Sequence, residues 1–281
     1  MRRNRTLWML IALLLLVGGV IFILASPDTV NRLLRRDATW QAMQTNGIWR
    51  VGMDPSFPPF EWLDENGQPI GYDVELARLM AAEWRLTVEI VPVGFDSLGD
   101  AVQTGRIDSV VSALPFDERL TRNMAYSEPY FDAGIALAVR SGSTIQSVAD
   151  LAGQRVAVEW GSMGDMVGRR LAREDASIAL ERFDSPNAAV TALVEGATAD
   201  GQEIDALLID NVTLRMEVVR GSPIAAAGPI LESNPYVIAM PIHAYELQSA
   251  VAETLTTLRE QGVLLTLEEE WFGRDHESLR Q

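Results

Sequence analysis

The amino-acid sequence predicts an α/β fold in two lobes, entered through a membrane-spanning helix. Three observations carry that prediction. Strand and helix patterns alternate along most of the chain, which implies sheets covered by helices. The alternation runs as two successive series with elements of similar length, and no clear internal repeat. Residues 6–25 contain no charge, and about 20 apolar residues suffice to cross a bilayer core.

The chain opens with MRRNR, followed by TLWMLIALLLLVGGVIFILA at 6–25. A secretory signal has a shorter apolar core of roughly 7–15 residues, so an uncleaved anchor is the favoured reading. Leu24-Ala25-Ser26 is a passable cleavage motif, which keeps a cleaved signal as the alternative. The charges nearly balance: Arg2, Arg3 and Arg5 stand against Arg32, Arg35 and Arg36. The N-terminal amine tips the orientation toward an inside N-terminus. Residues 26–47 read as a helical stalk, with Val30, Leu33, Leu34, Trp40 and Met43 near one face and Gly47 as its stop.

The first α/β series then begins. IWRVGM (48–53) is a strand, DPSFPPFEW a proline-rich loop, and ENGQP (65–69) a hairpin turn. Residues 74–84 form an amphipathic helix, 86–93 a strand, 97–105 a helix stopped by glycine, and 107–113 a strand. The second series runs through a strand at 134–140, a short helix at 148–153, a strand at 155–160 and a helix at 165–174. A helix at 185–196 follows, with Ser185 as N-cap and Pro186 in its first turn. Strands at 204–210 and 236–241 and a long helix at 246–262 complete it, and 274–281 is a tail.

Composition narrows the chemistry. There is no cysteine and no lysine; all 23 cations are arginine. Disulfides, thiolate chemistry, a lipoprotein anchor and a lysine Schiff base are therefore excluded. Only His243 and His276 are present, which disfavours a multi-histidine metal centre. No cofactor is expected. Residues 37–281 carry a net charge of −21, against +5 for residues 1–36. So negative a body repels nucleic acid.

Candidate residues fall at the C-terminal ends of strands, where open α/β sheets hold ligands. Asp54, Phe57 and Phe60 follow the first strand, and Phe95 follows the strand ending at Val93. Arg119 closes the run SALPFDER after the strand ending near Ala113. An arginine there can grip a carboxylate bidentately or simply pair with Asp117 or Glu118. Phe57 and Phe95 can sandwich a ligand or pack in a core. EWGSMG (159–164) runs from a strand into a helix start, whose N–H groups and dipole favour an anion; a tight turn is the plainer reading. Asp210 ends IDALLID, where it can take an ammonium or cap the next helix.

Together these positions resemble the extracellular solute-binding proteins of the polar amino acid type, receptors of ABC importers with the type II periplasmic-binding fold. The resemblance covers about residues 48–273. It rests on seven segments in order: RVGMDPSFPPFEW, ENGQPIGYDVELARLMA, FDSLGDAVQTGRIDSVVSALPFDER, YSEPYF, DLAGQRVAVEWGSMG, IDALLID and LREQGVLLTLEEEWFG. It implies two lobes joined by two crossover hinges, near 135–140 and 229–236. Lobe 1 would take 48–136 and 235–273, and lobe 2 would take 138–230.

The resemblance also implies roles. Arg119 looks like the arginine that holds the ligand α-carboxylate, helped by backbone N–H groups at Ser162 and Met163. Asp210 looks like the acid for the α-ammonium. Asp54, Phe57 and Phe95 look like side-chain-pocket residues. The family's Gly-Met-Thr-like run is best matched by Ala113-Leu114-Pro115, and Pro115 offers neither hydroxyl nor N–H. Glu159, with Asp54, makes the side-chain pocket acidic, which favours a cationic amino acid. The expected protein is a tethered, monomeric, non-enzymatic receptor that delivers its ligand to an ABC permease outside the cytoplasmic membrane. Two alternatives share the fold: a dehydratase of the cyclohexadienyl or arogenate type, and a sensory ectodomain.

Overall fold

The computed structural model describes residues 37–196 and 201–272. The anchor expected at 6–25, most of the stalk and the 274–281 tail lie outside them. Among the described residues no helix is long and apolar enough to cross a membrane.

Two open five-stranded sheets organise the chain. The first takes β1 (Ile48–Met53), β5 (Thr87–Pro92), β6 (Ser109–Val110), β7 (Met124–Tyr126) and β15 (Ala239–Pro241), in the order β5-β1-β6-β15-β7. β5, β1 and β6 are parallel, and β15 runs against both β6 and β7. The second takes β9 (Ile135–Arg140), β10 (Arg155–Glu159), β11 (Ala179–Phe183), β12 (Ala206–Asp210) and β13 (Ile224–Ala226), in the order β11-β10-β12-β9-β13. There β11, β10 and β12 are parallel and β9 is reversed. In each sheet the reversed strand is the one by which the chain enters from the other lobe.

A small ribbon joins the sheets: β8 (Phe131–Asp132) pairs antiparallel with β14 (Pro235–Tyr236). Asp132 braces it, its Oδ1 accepting from the N–H groups of Gly134 (2.8 Å) and Asn234 (2.9 Å). The first crossover therefore sits at 131–134, ahead of the 135–140 expected. The reason is that Ile135–Val139 are buried in the second sheet between its two layers of helices. The second crossover corrects another expectation. The apolar run 236–241 is not one strand: its start belongs to the ribbon and its end, β15, to the first sheet.

Helices cover the sheets. On lobe 1, α1 (Ala38–Asn46), α2 (Tyr72–Glu83), α7 (Tyr245–Glu260) and α8 (Val263–Phe272) pack around Trp49, Val51, Met53 and Phe60, all fully buried, while α3 (Leu98–Gln103) packs in a second cluster with Ile107, Val110 and Met124. On lobe 2, α4 (Met163–Glu174), α5 (Pro186–Glu195) and α6 (Asn211–Val219) flank the sheet. A three-stranded flap of β2 (Ser56–Phe57), β3 (Glu61–Leu63) and β4 (Pro69–Ile70) grows from the proline-rich loop.

The end of the expected stalk docks on lobe 1. Met43 is buried there, and Trp40 meets Trp84 edge-on with ring centroids 5.5 Å apart. Asp37 fixes the arrangement. Its Oδ1 accepts from Trp40 N–H (3.0 Å), capping α1, and its Oδ2 accepts from the N–H groups of Glu246 (2.9 Å) and Leu247 (3.2 Å), at the start of α7. One carboxylate thus satisfies orphan donors of two helices.

Candidate functional site

β1 is flanked by β5 on one side and β6 on the other, so the connections leave in opposite directions at its C-terminal end. That switch point is where an open α/β sheet offers a crevice. Lobe 2 repeats the arrangement at β10, between β11 and β12. Both switch points carry residues singled out from the sequence.

On lobe 1, a pocket of about 310 Å³ is lined by Asp54, Phe57, Phe95 and Ala113, together with Glu61, Ser112, Pro115 and Tyr236. Asp54 ties its wall together: Oδ1 accepts from Ser56 Oγ (2.7 Å) and Oδ2 from Phe95 N–H (2.9 Å). Phe57 and Phe95 are each 45% exposed, which answers the core-packing alternative. Phe57 stacks on Phe60 at 5.8 Å, with the rings 8° from parallel.

Beneath this pocket lies a polar network that the sequence reading missed. Ser112 Oγ accepts from Asp54 N–H (3.0 Å) and donates to Glu61 Oε1 (2.7 Å). Asp73 Oδ2 accepts from Ala113 N–H and from Tyr130 OH (3.0 Å). Ala113 has φ +40°, a strained conformation for a residue with a side chain, and the bond to Asp73 helps hold it. Burial pushes the Glu61 carboxyl up, and the Asp73 carboxylate beside it pushes it further. The available signal was an acid set among aromatic residues in FPPFEW, and another in the first turn of an apolar helix.

Arg119 stands apart from this pocket. It lines a neighbouring cavity of about 630 Å³ together with Phe95, Pro115, Phe116 and Tyr126. Its Nη2 donates to Asp117 Oδ2 (2.7 Å) and its Nε to Asp117 Oδ1 (2.9 Å). The side chain is 89% exposed. Phe95 and Pro115 line both cavities. Pro115 also bridges to Tyr236, with Phe116 N–H donating to Pro235 O and Val237 N–H to Leu114 O. The loop before Arg119 is thereby laced to the second crossover.

On lobe 2, Glu159, Ser162, Met163 and Asp210 line one smaller pocket of about 100 Å³. Ser162 caps α4: its Oγ accepts from Asp165 N–H (3.1 Å) and donates to Glu159 O (2.8 Å). Its own N–H donates to Glu159 O (3.2 Å). The N–H of Met163 opens α4 and has no acceptor within the helix. Asp210 caps α6, with Oδ1 accepting from Thr213 N–H (2.8 Å); the cap leaves Oδ2 uninvolved.

Asp165 supports the Gly161–Met163 loop from below. It is 1% exposed and accepts from Gly161 N–H (3.1 Å), Arg182 Nε (3.0 Å) and the Arg169 guanidinium. Burial raises its carboxyl, but the bonds from Arg169, Gly161 and Arg182 outweigh that and hold it below the usual range. Such a group stabilises the fold above its unfolded-state pKa and loses that contribution as pH falls through the depressed value. Asp165→Asn is expected to lower stability at neutral pH by about 1–3 kcal/mol and to flatten the acid limb of unfolding. Urea unfolding across the acid range checks this; an unchanged acid limb would refute it.

Residues 49–274 match the bacterial extracellular solute-binding proteins, family 3. The chain belongs to that family. Among curated solute-binding proteins, the L-cystine-binding protein TcyJ of Escherichia coli is 24% identical over 237 residues, 83% of this chain and 85% of its own length. The L-arginine-binding protein of Pseudomonas aeruginosa is 25% identical over 238 residues, 80% of this chain and 88% of its own. Both relatives are amino-acid-binding proteins by name. The unliganded open L-cystine solute receptor of Neisseria gonorrhoeae has the same fold, with a TM-score of 0.73 and 23% identity over 85% of this chain and 98% of that one. Membership in a solute-binding family of ABC importers places the binding domain outside the cytoplasm.

Proposed function

We propose that this solute-binding protein takes up a polar amino acid between its lobes and hands it to an ABC permease. The observation that supports this best is the pairing of two half-sites, each at the switch point of its own sheet, across a two-stranded ribbon. In this reading Arg119 holds the α-carboxylate with the N–H of Met163, while the N–H of Ser162 stays on Glu159 O and its hydroxyl caps α4. Asp210 takes the α-ammonium through the oxygen its cap does not use. Asp54, Phe57, Phe95 and Ala113 form the side-chain pocket, and Glu159 adds an acid from lobe 2. A desolvated cleft strengthens each of these charge-assisted bonds.

The ligand we propose is cationic. Asp54 and Glu159 are the carboxylates of the two half-site pockets besides Asp210 and the buried Glu61 under the floor. The likeness to an arginine-binding protein points the same way. Binding energy offsets lobe closure, and the closed form is the one presented to the permease. The uncharged stretch 6–25 serves as the tether. Calorimetry with the twenty amino acids is expected to rank L-arginine and L-lysine first. Tighter binding of a neutral or acidic amino acid would rule out the cationic assignment. Fractionation of the full chain tests the tether, which fails if the protein is recovered without the membrane.

A further inference from the structure

Glu61 and Asp73 form a pair of carboxyl groups buried under the lobe 1 half-site. Glu61, on β3, is 1% exposed and Asp73, in the first turn of α2, is fully buried. Two such groups cannot both ionise without a counter-charge. The titratable groups around them supply none. Asp54 follows β1, α2 contributes Tyr72, the run into β8 contributes Tyr130, and β14 contributes Tyr236, with Asp210 of lobe 2 beyond it. On the α6 and α8 side, Arg215 lies over Phe131 and Phe272 and pairs with Glu268.

Each carboxyl keeps one buried oxygen, Glu61 Oε2 and Asp73 Oδ1, with no partner outside the pair. One proton shared between the two groups satisfies both. The surroundings say which group keeps it. Asp73 accepts from Ala113 N–H and Tyr130 OH and lies at the positive end of α2, and each of these favours its anion. Glu61 accepts only from Ser112 Oγ. Glu61 therefore carries the proton and donates it to Asp73.

This pair has contacts in two directions. Through Ser112 and Ala113 it touches the floor of the half-site. Through Tyr130, whose N–H donates to Tyr236 O, it touches both crossovers. We propose that neutral Glu61 is a positioning residue that sets the Ser112–Ala113 floor against the hinge, and that loss of its proton at alkaline pH weakens ligand binding. The binding half of this statement rests on the reading of the cleft as the ligand site.

The sign follows from linkage. Folded Glu61 keeps its proton above the ordinary glutamate range, because of burial first and Asp73 second. The unfolded chain releases it within that range. Over the interval between, the folded state binds more protons, so stability falls as pH rises.

Glu61→Gln tests this, because its carbonyl can accept from Ser112 while its amide donates to Asp73. Infrared spectra of the free protein at neutral pH are expected to show a carboxylic-acid C=O band that Glu61→Gln removes. The melting temperature of the native protein should fall toward alkaline pH faster than that of Glu61→Gln. With L-arginine as probe, the affinity of the native protein should decline toward alkaline pH, and the affinity of Glu61→Gln should show no such decline. Glu61→Ala, which strands the Asp73 and Ser112 groups, should weaken binding roughly tenfold. A band that persists in Glu61→Gln, or two melting profiles that coincide at alkaline pH, would overturn the proposal. Should L-arginine bind neither protein, the ligand reading fails, while the spectra and melting curves still decide the proton.

Discussion

Arg119→Ala is expected to weaken amino acid binding by ~100-fold or more, while the melting temperature of the free protein stays the same. Charge-assisted hydrogen bonds contribute about 1.5–3 kcal/mol each, and a bidentate guanidinium makes two to one carboxylate. Folding asks little of this side chain. It is 89% exposed and its ion-pair partner is Asp117, and exposed pairs contribute about 0–1 kcal/mol. The bond to Asp117 must be exchanged for the ligand carboxylate, which costs little for the same reason. Arg119→Lys keeps the charge but not the fork, and should recover only part of the affinity. Calorimetry paired with thermal melting separates the two effects. Undiminished affinity in Arg119→Ala would remove it from the site.

Gly71→Ala is expected to cost about 3–5 kcal/mol of stability. Gly71 has φ +133° at the start of α2, a region that residues with side chains rarely enter. A Cβ built there would lie 2.1 Å from Phe60 O and 2.9 Å from Glu61 N. That contact is backbone against backbone, so no side-chain rotation relieves it. Phe60 O is also the acceptor for Asp73 N–H (2.9 Å), so the clash disturbs the turn that seats Asp73 beside Glu61. Gly47→Ala is the control. It too has positive φ, +68°, but nothing lies within 4 Å, and the backbone conformation alone should cost about 1–2 kcal/mol. Urea unfolding of both variants compares them; equal losses would show that the close approach at Gly71 does not matter.

Much of the fold could be read in advance, because the strand-and-helix alternation that implies layered sheets depends on local pattern. β1, β5, β10 and β12 each end in or near a residue singled out from the sequence. The crossovers were less legible. Ile135–Arg140 reads as a strand whichever sheet it joins, and membership is decided only by pairing with β12 and β13. The run 236–241 is apolar throughout, so its pattern does not show that it changes sheets. Glu61 and Asp73 were illegible for a different reason. In the chain they look like ordinary polar positions in a turn-rich loop and at a helix start. Burial under residues far away in sequence, such as Ser112 and Tyr130, changes their chemistry. Arg119 and Asp54 follow neighbouring strands, but their lining different cavities is a property of loop packing.

The double capping by Asp37 has a mechanical consequence. A pull along the backbone from its N-terminal side enters the body where α1 and α7 meet, and both belong to lobe 1. The load spreads into that lobe's core and never travels through the 131–134 and 232–236 segments. Lobe 2 hangs from those two segments like a pendant, outside the load path. In the proposed mode of action the ligand alone then drives its closure, whatever strain the rest of the chain transmits.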